Sequence, residues 1–385
     1  MIKERYTIIK KELSVNIVNS EINSIRKKNI KKTGLRAYSN NLIGIAGFLG
    51  EEGEKEAEKR AVRNLKNMVE YLPAPCAEKT EERKVGRLLF AEDEFIKETE
   101  EILKCLRSDF PEFIFSHKLN LCQDKVMLSN DLGTDLKFQS DYMNAGIVYK
   151  MKDSTNIFDG FIEVTGDRYE RKAFIDYSSS ILAAHLNKTS LPAGSDKLPV
   201  IFTSPVILKK FIDDLHGDTY GSGASLFSGK AGEKLFDSRF SLVNSKRSDI
   251  TLSPFFDSEG TTLEDDTYYF IKDGVFISPY SDKKTAMKFD QSITGNASAE
   301  YDRVPVSSYE GMMIVPCRDD LKTLLDGQHG ILVVMASGGD FTADGSFGTP
   351  VQLSFLTDGE RLLGRLPDIQ VDSTVYDMFG KDFRG

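Results

Sequence analysis

Tryptophan is absent from this 385-residue chain, and cysteine and histidine occur only four times each. Cysteines 76, 105, 122 and 317 share no close spacing, so they suggest neither a disulfide framework nor a cysteine zinc site. Histidines 117, 185, 216 and 329 include no pair within a helical turn, which leaves no paired-imidazole metal motif. No apolar run approaches the roughly 20 residues that span a bilayer. The opening MIKERYTIIKKEL returns to charge too soon for a secretion signal, and a cytoplasmic location is expected. Positive charge is in deficit. Lys and Arg total 50 against 59 Asp and Glu, a net charge of −9, which argues against a dedicated nucleic-acid binder that must neutralise phosphates. There is no G-x-S-x-G at a strand-to-helix turn, no dinucleotide fingerprint and no phosphate-loop lysine pattern.

What the chain does have is aromatic bulk, 25 phenylalanines and 14 tyrosines, and length enough for two cores. An α+β architecture is expected. The polar, Pro/Gly-marked stretch NKTSLPAGSDK divides an N-terminal α+β domain, residues 1–192, from a C-terminal domain, residues 193–385. In the first, residues 12–19, 34–40 and 42–50 read as strands, with a turn at Asn40-Asn41. Gly44, Ala46 and Gly47 leave room for close packing, and the basic run Arg26 to Lys32 reads as a solvated turn region. Helical spacing of Ala57, Ala61, Leu65, Met68 and Leu72 predicts a surface helix over 54–72, ended by Pro73 and Pro75. Residues 74–90 read as turn, 92–107 as helix and 113–175 as strands of an antiparallel sheet. A helix over 171–187 follows, with His185 on its surface.

The second domain opens with a strand, PVIFTS, and a helix over 204–216. Ser204 can cap that helix, and Phe211 and Leu215 lie on its buried side. Beyond Asp218 strand and turn dominate. Hairpins are expected at Lys272-Asp273-Gly274 and Thr357-Asp358-Gly359, with a short helix to Leu325 closed by Gly327. GMMIVPC and GILVVMAS are apolar enough for central strands, and Cys317 is expected to be buried. A large, mostly antiparallel β domain, barrel- or sandwich-like, is the result.

The glycine-dense stretch 223–260 holds the candidate chemistry. Asp257 and Glu259, two apart, share one side of an extended segment. They either shape a site edge or stabilise a turn. His216 has Asp213 three residues before it, a possible carboxylate–imidazole contact on one helix face. It is a weak metal candidate, since a capped helix end explains it equally.

The segments SLFSGKAGEKLFDSRFSLV, FFDSEGTTL, IKDGVF, SITGNA and GGDFTADGSFGTPV, in this order behind the INS…GLRAYSNN opening, resemble the TldD/PmbA family, once called modulators of DNA gyrase. The proteolytic members carry H-E-x-x-x-H in the helix opening the second domain and a late cysteine ligand. At the corresponding positions this chain has Phe211, Ile212 and His216, and no cysteine follows Cys317. The resemblance therefore implies the PmbA/TldE side. That is a non-catalytic subunit without a cofactor of its own, paired with a TldD-like zinc-bearing partner or with itself, acting on unfolded peptides and not on membranes or nucleic acid. Asp257, Glu259, Thr294, Asn296, Asp340 and Phe341 become candidates for contacting peptide or partner, and 253–262 and 292–297 become candidate strand edges. A homodimeric peptide binder without protease activity, and an atypical hydrolase built on His216, are the alternatives.

Overall fold

The computed structural model describes residues 1–193, 197–203, 205–336 and 340–385, with Pro205 and Asp340 described by backbone alone. The N-terminal half begins as three antiparallel strands, β1 (Ile2–Val18), β2 (Glu21–Ser39) and β3 (Leu42–Leu49). Two asparagine turns reverse the chain. Asn19-Ser20 and Asn40-Asn41 all have positive φ, 51°, 66°, 51° and 60°, the backbone twist that short hairpins favour. The Asn40-Asn41 turn is as expected. The basic run Arg26 to Lys32 corrects another expectation. It lies inside β2, paired with Ile8 to Ser14 of β1. None of its side chains is fully buried, and Arg26, Lys27 and Asn29 are exposed, while the turn itself falls to Asn19-Ser20.

Next comes α1 (Glu54–Asn64), which leaves the α-helix well before the expected Leu72. A 3-10 turn and Met68 at φ 55° release the chain instead. A Cβ at Gly44 would lie 2.1 Å from the Ala61 carbonyl oxygen, so this helix rests directly on the strand below. The expected turn region contains β4 (Thr80–Gly86). Then follow α2 (Glu92–Asp109), β5 (Phe113–Asn130), β6 (Asp135–Met151), β7 (Gly160–Gly166) and α3 (Arg171–Leu186). The sheet runs β3-β2-β1-β5-β6-β4, with β7 also on β6, and only β4 is parallel to its neighbour. Phe95, Ile102, Leu103 and Leu106 of α2 and Phe174, Ile181 and Leu182 of α3 seal one face over Leu13, Val15 and Leu119.

The C-terminal half is built of shorter pieces. These are β8 (Val200–Phe202), α4 (Lys209–Asp214), α5 (Gly217–Gly221), β9 (Leu242–Ser245), β10 (Thr267–Lys272), β11 (Val275–Phe276), α6 (Lys283–Phe289), β12 (Ala297–Ser298), β13 (Val306–Ser307), β14 (Met312–Ile314), α7 (Leu321–Leu325), β15 (Gly330–Ala336), β16 (Asp340–Phe341), β17 (Ser346–Thr357), β18 (Leu362–Arg365), β19 (Ile369–Thr374) and α8 (Val375–Phe379). One sheet orders β11-β10-β9-β14. A second orders β16-β17-β15-β8, with β18 and β19 on β17. The arrangement is sandwich-like and mostly antiparallel, not a closed barrel. Both expected hairpins form, and α7 ends at Asp326 and Gly327 with positive φ. GMMIVPC supplies an edge strand, β14, not a central one. Ser204, the expected cap, lies outside the described residues.

Two burial expectations reverse. Cys317 is exposed. His185 is buried, because α3 is wedged between the first sheet and β18. Its Nε2 lies 3.0 Å from the Arg365 guanidinium, which can only donate. The proton therefore sits on Nδ1, 3.3 Å from the Tyr149 hydroxyl. Burial, reinforced by Arg365, pushes this imidazole down to about 4. Val334, Leu353 and Phe355 of β15 and β17 join the same core as α2 and α3, so the two halves share apolar packing.

A second junction lies on β2, where a Cβ at Gly34 would stand 1.6 Å from the Tyr301 carbonyl oxygen. Since backbone meets backbone there, Gly34→Ala is expected to cost about 1–3 kcal/mol or more. Gly166→Ala, whose Cβ would meet nothing closer than 3.8 Å, should change urea-denaturation stability far less. Equal effects would show that the junction yields easily.

Candidate functional site

Past β9 the chain leaves its sheet and lays Phe255 and Phe256 into an apolar pocket formed by Tyr6, Val85, Leu128, Leu136 and Phe138 of the N-terminal sheet. Arg83 stacks 4.4 Å over Phe255 and pairs with Asp266 at 2.6 Å. These two rings carry the next residues into the interior. Asp257, Ser258 and Glu259 are all buried. They form a tight turn: the Gly260 N–H donates to the Asp257 carbonyl at 3.0 Å, with Gly260 at φ 75°.

The Asp257 carboxylate organises this turn. One oxygen accepts the Glu259 and Thr261 N–H groups at 2.9 Å each, and the other accepts the Ala297 N–H at 3.1 Å. Glu259 faces outward from the turn and into the other half of the molecule. The Tyr71 hydroxyl donates to one oxygen and the Lys283 N–H to the other at 2.9 Å. The Lys283 ammonium meets the Glu259 carbonyl at 3.1 Å. Beside them, Arg36 of β2 is fully buried. Its Nη1 donates to Glu4 at 3.0 Å and to the Ser258 carbonyl at 2.6 Å, while Nε and Nη2 have no hydrogen-bond partner among the described residues. The Tyr38 hydroxyl donates to the same Glu4 oxygen at 2.9 Å, and the Asn130 amide to the other at 3.3 Å.

Burial, with Asp257 adding to it, pushes Glu259 up to about 8. Burial also pushes Asp257 up, against the three N–H groups that favour its charge. Lys246, buried nearby, is pushed down by its loss of water, opposed by Asp257 and Glu310.

Thr294 and Asn296 stand behind this turn in a second buried network. The Thr294 hydroxyl accepts the Ser281 N–H at 2.8 Å, and Asn296 donates to the Ser308 carbonyl at 2.9 Å. Asn244 of β9 ties the pair together, donating to the Thr294 carbonyl at 2.8 Å and to Asn296 at 3.1 Å. Asp257 and Asn296 are thus brought together through neighbouring backbone, since Ala297 is the Asp257 donor. The candidate strand edges do not survive. Residues 253–262 form a turn with one bridge, Phe256 to Thr262, and 292–297 reach a strand only at Ala297. Phe255 to Gly260 and Thr294 to Ala297 are buried, while Ser292 and Ile293 are exposed.

Phe341 lies elsewhere, in β16, its ring 4.6 Å from Phe347. Asp340 pairs through its backbone with Gly348, and its side chain is outside the described atoms. Asp344 accepts from Thr342 and from the Ser346 N–H at 3.2 Å, holding a turn.

His216 opens an exposed cleft of about 610 Å³, lined also by Lys210, Asp213, Asp214, Asp218 and Tyr280. The helical pairing expected with Asp213 is corrected. The helix α4 ends at Asp214, and His216 is extended, φ −62° and ψ 127°, as the cap of α5. Its Nδ1 accepts the Asp218 N–H at 3.3 Å, so Nε2 carries the proton. Asp214 is occupied by Lys210 at 2.7 Å and by the Leu226 N–H at 2.5 Å. Among the described residues no three His, Cys, Asp or Glu side chains group as a metal ion requires.

Sequence reasoning overlooked Glu4, Arg36, Tyr71 and Lys246. The signal available was Arg36 two residues before Tyr38 in an otherwise apolar strand segment, an alternation that puts a charge on a buried face.

Residues 195–383 match the family of PmbA/TldA metallopeptidase C-terminal domains. The fold resembles three crystal structures over nearly the whole chain. TldE from Thermococcus kodakarensis aligns with a TM-score of 0.77 at 17% identity, over 98% of this chain and 89% of that one. A Thermotoga maritima protein described as a modulator of DNA gyrase aligns at 0.75 and 16%, over 99% and 90%. A Bacteroides thetaiotaomicron protein described in the same way aligns at 0.76 and 14%, over 98% and 87%. No curated protein matches the sequence.

The Glu259 environment has a sign that can be checked. An ordinary glutamate ionises near 4.5, and this one near 8. Between those values the folded chain keeps a proton that the unfolded chain releases, so stability falls as pH rises through that window. Glu259→Gln removes the proton and its slope, at the constant cost of an amide that accepts fewer N–H groups. Its stability relative to the parent, from urea denaturation at pH 5, 6.5 and 8, should therefore rise with pH. Parallel curves would contradict this assignment.

Proposed function

We propose, for a chain that belongs to the TldD/PmbA family, the role of a non-catalytic partner in a peptidase assembly. In this reading the protein helps to enclose and hold unfolded peptide, while a metal-bearing subunit supplies zinc-activated water. The observation that carries the reading is Phe211. It stands where proteolytic members have the first histidine of H-E-x-x-x-H, and it is fully buried. Its ring meets Phe227, Phe236, Phe240 and Phe379 at centroid distances of 5.8, 5.6, 5.5 and 4.9 Å. Aromatic packing thus occupies the position of a ligand.

The next position offers no general base. Ile212 has an aliphatic side chain, and its carbonyl accepts the Tyr280 hydroxyl at 2.8 Å. His216, the one residue matching the motif, uses Nδ1 to cap a helix. A zinc hydrolase needs about three protein ligands and a base beside bound water, and this set supplies neither. The buried Asp257–Glu259 turn supports a joining role, since its contacts run between the two halves of the chain. On this reading Asp257, Glu259, Thr294 and Asn296 keep the enclosure in shape, and Asp340 and Phe341 lie where a partner or peptide can meet β16.

The test is metal analysis and peptide cleavage by the purified chain, alone and with a TldD-like subunit. The chain alone should hold far less than one zinc per molecule and leave an unstructured peptide intact. Addition to the metal-bearing subunit should raise cleavage above that of either alone. Stoichiometric zinc with turnover by the isolated chain would overturn the proposal.

A further inference from the structure

Side chains of α1 cap outward carbonyls of β3, the last strand in the large N-terminal sheet. Arg60 of α1 donates to the Gly47 carbonyl at 2.8 Å, and Asn64 donates to the Ile45 carbonyl at 2.8 Å. Beyond α1 the chain turns back and runs beside β3 as an outermost extended piece. The Ile43 N–H donates to the Val69 carbonyl at 3.0 Å, the Tyr71 N–H donates to the Asn41 carbonyl at 2.7 Å, and Leu42 opposes Glu70. In that antiparallel pattern Leu42 and Glu70 form a non-hydrogen-bonded pair. The N–H and C=O of Glu70 therefore point away from the sheet, and neither has a partner among the described residues. The side chains around them are apolar and exposed, Met68 at 67%, Val69 at 39% and Leu72 at 53%.

We propose that the outer edge of residues 68–72 is a strand-addition site for a short, extended peptide with apolar side chains. This rests on the peptide-holding reading above and names a place for it. Unpaired strand backbone is a template for another strand, and it binds without regard to sequence. Exposed Met, Val and Leu would add contacts with the apolar side chains that unfolded peptides display. Anchoring keeps the edge in position. Tyr71 is buried, its ring 5.7 Å from Tyr38 and its hydroxyl on Glu259, so the piece is held from behind by the interior junction.

The occupant is a peptide and not a second copy of this chain. Met68, with left-handed backbone, and Pro73 bracket the edge. What lies between is far too short for the roughly 800 Å² per partner that a stable protein interface buries.

Proline at 70 is the sharp probe. On the backbone it deletes only an outward N–H, and an edge strand tolerates proline in that orientation. Glu70→Lys keeps the backbone and reverses the side chain. With a fluorescently labelled, unstructured apolar peptide, anisotropy should show E70P binding about tenfold more weakly than the parent, and E70K within about twofold of it. Hydrogen exchange on the unmutated protein gives an independent reading, in which the Glu70 amide should slow when peptide is added. Peptide that binds a folded E70P as tightly as the parent, or leaves the Glu70 amide unprotected, overturns this site while leaving the peptide-holding role standing. Absence of peptide binding by the parent, alone and with a metal-bearing subunit, overturns that role and the site with it. A change of sedimentation state in E70P, with peptide affinity unaltered, would assign the edge to self-association instead and reject the proposal.

Discussion

A guanidinium closed off from water sets the terms for the rest of this molecule. Arg36 is fully buried, and a buried charge is tolerated only with a counter-charge and hydrogen bonds. Glu4 supplies the charge from the neighbouring strand, and the Ser258 carbonyl supplies an acceptor from the far half of the sequence. Removing one member of such a buried pair typically costs about 3–5 kcal/mol, so the turn at 257–260 has little freedom to sit elsewhere. Phe255 and Phe256 bring apolar burial to the same junction, and Tyr71 and Lys283 add bonds to Glu259. The charged contacts contribute specificity of docking more than net stability, because desolvation offsets much of their attraction.

The cleft beside His216 holds no group of metal-ligating side chains among the described residues, and its surroundings show why. A histidine ligand must point its imidazole into a polar opening where metal and water can reach it. Phenylalanine at 211 does the opposite, turning into a cluster of rings whose edge and face contacts favour close packing. The helix also breaks before His216, which removes the constant angular spacing that lets two histidines on one helix converge. What remains is an open surface of paired lysines and aspartates with a capping histidine.

Parts of the architecture were legible because they depend on neighbours in sequence. Asn40-Asn41, Asp273-Gly274 and Asp358-Gly359 form turns through their own backbone preferences. Apolar spacing identifies α2 and α3, and the same spacing over 54–72 outruns the helix, which ends at Asn64. Pro73 and Pro75 can end a helix, but Met68 takes the chain into a left-handed conformation before they are reached. β4 was missed because Thr80–Gly86 is mostly charged, and it becomes a strand by pairing with β6. His185 was placed outside because its helix face looks mixed; a strand far along the chain, β18, covers it.

The sequence by itself determined the two-part α+β plan, its hairpins, and a family resemblance in which the metal-binding residues are replaced. These follow from local backbone preference, side-chain periodicity and the identity of single residues. Tertiary structure alone decided that Asp257 and Glu259 lie inside a junction with Glu4, Arg36 and Tyr71, and that the backbone of Glu70 is left facing outward beside β3. Partners separated by as many as 222 residues meet there because burying Phe255 and Phe256 against β1 and β5 forces the polar groups beside them to find each other. No local pattern encodes which distant group will be the one available.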